Sequence, residues 1–148
     1  MRAVCQRVLD ATLYVDGNLI SKIDNGFLVY IGFSVDDTPE KINKALNKLS
    51  GLRVFDDTEG KLNLSLSDIN GQMLLVSNFT LYADCSRGFR PSFINSARFD
   101  DAQKLYTYSL DYIKSKGIDV KPCVFGGDMK IISTADGPIN IIIDSEDI

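Results

Sequence analysis

Histidine is absent from this 148-residue chain. A Ser-His-Asp triad, a Cys-His pair and a histidine-ligated zinc are therefore excluded within it. Any hydrolysis must take its base from a carboxylate, a lysine or the substrate itself. Cysteine is scarce: Cys5, Cys85 and Cys123 are odd in number and lack metal-ligand spacing. They read as free thiols of a reducing compartment. No apolar run reaches membrane-spanning length, and Met1-Arg2-Ala3-Val4-Cys5 has no signal-peptide pattern, so a cytoplasmic protein with no membrane contact is expected. Positive charge is also short, with 16 Lys and Arg against 20 Asp and Glu, a net charge of −4. Coating nucleic acid through bulk charge is thereby disfavoured, whereas gripping one RNA end through a small basic patch is not.

What is present is ordinary for a globular protein: 45% apolar and 24% charged residues, most simply one domain over 1–148. Residues 2–8 and 11–16 read as paired strands, with hairpin chemistry at Asp16-Gly17 and a third short strand at 19–23. Phe27-Leu28-Val29-Tyr30-Ile31 is nearly all apolar and reads as a central strand buried on both faces. Thr38 and Pro39 open a helix in which Ile42, Ala45, Leu46 and Leu49 recur at helical spacing, and Gly51 closes it. A short strand at 52–55 precedes a polar stretch, 56–72, that reads as a long loop. A second helix spans Phe99 to Lys116, with Phe99, Ala102, Tyr106, Leu110 and Ile113 in one stripe. Strands follow at 120–125, 129–134 and 139–143, separated by Gly126-Gly127 and Asp136-Gly137-Pro138. These elements imply an α/β (α+β) fold: a largely antiparallel, barrel-like sheet with two main helices packed on it. The acidic pairs Asp36-Asp37 and Asp56-Asp57 read as solvated loop carboxylates, so no metal and no cofactor are expected. Arg7, among strand residues, reads as an edge or rim arginine, with a ligand role as the alternative.

The stretch Met73 to Leu81 is where chemistry is expected. It starts as a buried strand and then places Ser77, Asn78 and Thr80 at its end, where buried polar groups must find partners. The plain alternative is a strand leaving the core with its hydroxyls on nearby backbone. Two later stretches strengthen the functional reading: Gly88-Phe89-Arg90-Pro91-Ser92-Phe93, and Ala135-Asp136-Gly137-Pro138-Ile139-Asn140.

Taken together, Gln6-Arg7-Val8, Asp16-Gly17, Arg53-Val54-Phe55, Gly60-Lys61-Leu62-Asn63, Ser77-Asn78-Phe79-Thr80-Leu81, Gly88 to Phe93, Phe125-Gly126-Gly127-Asp128-Met129 and Asp136-Gly137-Pro138 resemble the D-aminoacyl-tRNA (D-tyrosyl-tRNA) deacylase family in order and spacing over nearly the whole chain. The resemblance implies a homodimer that hydrolyses the ester between a D-amino acid and the 3′ end of tRNA; related members also clear glycine from mischarged tRNA. It implies Ser77, Phe79 and Thr80 as the catalytic group. It implies Asn78, Arg7, Phe89, Met129, Gly137, Pro138 and Asn140 as substrate-binding residues, with a cis Gly137-Pro138 pair entering the partner's site. Three positions depart from the family pattern: Asn78 stands for the usual glutamine, Ala135 for asparagine and Asn140 for threonine. Asn78 keeps the amide with a shorter reach, and Ala135 removes a hydrogen-bonding group beside the Gly-Pro pair. The alternative is a non-catalytic RNA-binding relative whose motifs have drifted at these positions.

Mechanistically, backbone N–H groups at Phe79 and Thr80 are expected to stabilise the oxyanion. Thr80 alone is a weak nucleophile without a neighbouring base. It is therefore expected to position substrate or water, with the ribose 2′-hydroxyl assisting. Arg87 and Arg90 are expected to order the pocket loop or meet phosphate, and Phe89 to act as a lid or as a packing residue.

Overall fold

A fourteen-residue strand, β1 (Arg2–Val15), is the spine of the computed structural model, which describes residues 1–148. Its N-terminal half pairs antiparallel with β3 (Gly26–Gly32), and its C-terminal half with β2 (Asn18–Ile23). Its other edge carries a strand of sixteen residues, β8 (Met129–Asp144), along nearly its whole length. The expected pair of strands within residues 2–16 is therefore one strand. Leu9-Asp10 offers no glycine, proline or asparagine to turn the chain, and the Asp16-Gly17 turn, with both residues at positive φ, joins β1 to β2 instead.

The two C-terminal strands expected at 129–134 and 139–143 are likewise one. The sequence 135–140 does not end the strand; it bulges from it. Gln6 pairs with Asn140 and Val8 with Ala135, so the four residues Asp136 to Ile139 stand opposite Arg7 alone. The Gly137-Pro138 peptide within this bulge is cis, and Gly137 has φ 120°.

On the other side of β1, β3 lies parallel to β6 (Gln72–Ser77), which lies parallel to β7 (Asp119–Pro122). Parallel neighbours need long crossovers. Helix α1 (Pro39–Ser50) lies in the first and α2 (Phe99–Ser115) in the second. Thr38 caps α1 by accepting the Lys41 N–H, and Gly51 ends it, as the sequence implied. The helices are tied together by Tyr108 and Tyr112, whose hydroxyls donate to Asn43 at 2.8 Å and Asn47 at 2.9 Å. Their apolar stripes join the inward residues of β1, β3 and β6 in a single core.

The sheet bends far enough that β2 faces β7, where the Ser21 hydroxyl donates to Pro122 O at 2.6 Å. The result is a nearly closed barrel. Residues 56–72 are not a structureless loop as expected. They contain β5 (Leu62–Ser65), paired with β4 (Arg53–Asp56) in a small ribbon. Its turn is held by the Asp57 carboxylate, which accepts N–H groups of Lys61 and Glu59 and is thereby held below the usual aspartate range.

Candidate active site

The cleft opens where two parallel strands part. β6 and β7 stay paired only as far as Leu75 and Pro122. One residue on, the Cys123 N–H donates not to β6 but to the Tyr106 hydroxyl at 2.8 Å, and that hydroxyl donates to Leu75 O, also at 2.8 Å. A buried phenol from α2 therefore sits between a strand N–H and a strand carbonyl, holding the two strands apart. Beyond this fork lies a cleft of about 680 Å³ at the carboxyl ends of β3, β6 and β7, where ligands of parallel sheets commonly bind.

Each wall follows from a local feature. Ser77 closes β6, and the Asn78 N–H donates to Ile31 O at 2.7 Å, carrying the chain along β3 for one more residue. Gly32 permits that approach, since a Cβ there would stand 2.7 Å from Asn78 O. The chain then turns into a 3-10 helix, Phe79–Tyr82. Asn78 caps it: its Oδ1 accepts the Thr80 N–H at 3.1 Å and also the Thr80 hydroxyl. Phe79 and Phe93 meet edge to face at 5.1 Å on one side of the cleft. Phe125 and Phe99 do the same on the other, also at 5.1 Å. Ser96 donates to Phe79 O at 2.9 Å and fixes the upper rim. At the floor, the Ser77 N–H donates to Cys123 Sγ at 3.3 Å, with the Ser77 hydroxyl 3.5 Å from the same sulfur.

Electrostatically the cleft is neutral: none of its lining residues bears a formal charge. Tyr30 is its one phenol, and burial pushes that group above its ordinary value. The lining can seat a flat or apolar group and offer hydrogen bonds. It cannot supply a carboxylate or lysine as general base. The Phe79 N–H, first in its turn, has no intramolecular acceptor and is available to a developing oxyanion. Its expected companion, the Thr80 N–H, is already engaged by Asn78.

The structure thus brings Ser77, Asn78, Phe79 and Met129 into one cleft. Thr80 adjoins it, exposed, with its hydroxyl on an amide oxygen rather than on a base. Phe89 is fully exposed and does not line the cleft; it stands four residues before Phe93, which does. Arg7 corrects the expectation of an edge or rim residue. It is buried, donates to Val54 O at 2.8 Å, and its Nε lies 2.9 Å from Asp136 Oδ2, a charge contact too bent for a hydrogen bond. Asp56 stands 3.5 Å away on the other side of the guanidinium. Arg7 therefore ties the bulge of β8 to the β4–β5 ribbon. Gly137, Pro138 and Asn140 do not line their own chain's cleft, and Asn140 accepts from Gln6 at 3.0 Å. Tyr106 and Cys123, which bond behind the cleft without lining it, were not singled out from the sequence. Tyr106 had a signal, because a tyrosine in the apolar stripe of a helix must find a partner for its hydroxyl.

The family model described as D-Tyr-tRNA(Tyr) deacylase matches residues 4–144. The chain belongs to that family. Similar relatives named D-aminoacyl-tRNA deacylase come from Thermosipho africanus, 46% identical over 99% of this chain and 98% of theirs, and from Clostridium novyi, 45% identical over the same shares. A solved structure described as c-Myc DNA Unwinding Element Binding Protein superposes with a TM-score of 0.92 at 32% identity, covering 97% of this chain and 98% of its own. Another, described as a probable eukaryotic D-amino acid tRNA deacylase, shares the fold with a TM-score of 0.81 at 19% identity, over 95% and 97% of the two chains.

Proposed function

We infer that this chain is a hydrolase of the ester bond in D-aminoacyl-tRNA, releasing the free D-amino acid and tRNA. The observation that carries this reading is the convergence of Ser77, Asn78 and Phe79 on one uncharged cleft, in a chain matched over residues 4–144 by the deacylase family model. The terminal adenosine and the amino-acid ester fill the cleft, and the Phe79 N–H stabilises the tetrahedral oxyanion. Since Thr80 has only an amide oxygen as partner, it positions substrate or water, and the ribose 2′-hydroxyl assists the attack.

Two copies act together in this reading. The outer edge of β8 is unpaired, and it exposes Ile132 at 64% and Ile142 at 76%, apolar surface suited to a twin. The cis Gly137-Pro138 bulge enters the twin's cleft, where its carbonyls meet the α-ammonium of a D-residue and its backbone collides with the L-form. The enzyme works in the cytoplasm and needs no metal or cofactor; no helix is long and apolar enough to cross a membrane. The DNA role in one relative's description finds no support in a chain of net charge −4.

The test is release of labelled D-tyrosine from D-tyrosyl-tRNA(Tyr). Turnover is expected to persist in Thr80→Ala and to vanish when the terminal ribose lacks its 2′-hydroxyl. Decay at the uncatalysed rate with the wild-type chain overturns the enzyme, and the opposite pattern in the two perturbations makes Thr80 the nucleophile.

A further inference from the structure

The segment between the 3-10 turn and α2 is unlike the rest of the molecule. Over residues 84–98 three arginines, Arg87, Arg90 and Arg98, face one carboxylate, Asp84, in a chain whose net charge is −4. It is also a built finger rather than a slack loop. Asp84 and Ser92 pair antiparallel through two backbone hydrogen bonds of 2.8 and 2.9 Å, closing residues 85–91 into a loop. The Asp84 carboxylate accepts the Ser86 N–H at 2.9 Å, which braces the ascending side. At the tip stand Arg87, Phe89 and Arg90, all exposed, and the Phe89 ring touches nothing that buries it. The descending side runs straight into the cleft wall, where Phe93 packs on Phe79. Four residues of chain span at most about 14 Å, so the tip stands within that reach of the cleft.

We propose that this finger is a clamp for single-stranded RNA, in which Phe89 stacks on an unpaired base next to the terminal adenosine and Arg87 and Arg90 meet the flanking phosphates. The proposal rests on the RNA substrate inferred above and adds how its tail is gripped. A fully exposed aromatic ring flanked in sequence by two exposed arginines is the combination that single strands select, because every base offers a face to stack and every linkage a charge. The neutral cleft lacks any cation of its own, so phosphate affinity has to come from its rim. Charge and ring are both found on the finger that borders it.

The measurement is the affinity of the full chain for two uncharged acceptor-stem RNA hairpins, one ending in the four unpaired 3′ nucleotides and one blunt. Phe89→Ala is expected to weaken the tailed hairpin about tenfold and the blunt one not at all, and Phe89→Trp to restore the wild-type affinity. Arg87→Gln and Arg90→Gln are each expected to reduce the salt dependence of tailed binding by about one phosphate contact. Equal weakening of both hairpins, or no weakening by Phe89→Ala, overturns the clamp. Its failure is separable from that of the deacylase reading, which the wild-type rate on D-tyrosyl-tRNA decides alone.

Discussion

Replacing Tyr106 with phenylalanine removes one oxygen from the core and tests how the cleft is opened. The hydroxyl bridges the Cys123 N–H and Leu75 O with two hydrogen bonds of 2.8 Å, and the side chain is 4% exposed. Water does not reach this position readily, so its loss leaves a buried donor and a buried acceptor without partners. An unsatisfied buried group costs ~1–3 kcal/mol, and a shared site makes the two losses less than additive. We therefore expect about 2–3 kcal/mol of destabilisation, a fall in Tm of about 5–10 °C for a chain of this size. The alternative for the mutant is to close the fork, so that Cys123 bonds directly to Leu75. That outcome narrows the cleft and moves Cys123 Sγ away from Ser77, and D-tyrosyl-tRNA turnover falls instead. Thermal unfolding and the deacylation rate, measured together, cover both responses. A variant with Tm within about 1 °C of wild type and an unchanged rate refutes the view that this hydroxyl holds the strands apart.

Three further outcomes follow from single residues. In Gly137→Ala the new Cβ would stand 2.7 Å from Ile139 N at a backbone φ of 120°, so the bulge must move; D-tyrosyl-tRNA turnover is expected to drop by more than about tenfold, and an unaltered rate contradicts the placement of this pair in the reaction. Arg7→Met takes the positive charge from between Asp136 and Asp56, two part-exposed carboxylates, and should cost about 1–3 kcal/mol, read as a lower urea midpoint with unchanged slope. Asp84 is held below the ordinary aspartate value of 3.8, first by the Ser86 N–H. Because the folded value is the lower one, the finger's brace is fully present above pH 3.8 and is lost as pH falls through the depressed value. The Ser86 amide resonance should therefore stay constant at neutral pH and move only in acid below 3.8, and a transition above it contradicts the brace.

How far the sequence could be read depends on where the deciding physics is local. Helix α1 was legible to its caps because Thr38, Pro39 and Gly51 each act within one turn. The strand at Met73 to Ser77 was legible from its apolar run. The merging of two expected strands into β1, and of two into β8, was not. Asp136-Gly137-Pro138 carries every mark of a turn, yet β1 is long enough to hold both flanks and squeeze the turn out as a bulge. That outcome is settled by a partner more than a hundred residues away in sequence, not by the tripeptide. Arg7 was misread for the same reason, since its buried charge makes sense only once Asp136 and Asp56 are brought to it. Ser77, Asn78 and Thr80 stood out because polar residues at a buried strand end demand partners, whereas Phe79 came only with the family resemblance. The engagement of Thr80 with Asn78 was invisible until the 3-10 turn was seen. β5 is four residues long and bounded by polar turns, too short a signal to separate from loop.

The most direct measurement sets D-tyrosyl-tRNA(Tyr) and L-tyrosyl-tRNA(Tyr) against the same preparation and compares their initial rates of deacylation. A cleft that sorts handedness by backbone shape predicts rapid loss of the D-ester while the L-ester decays no faster than without protein. Equal acceleration of both contradicts it.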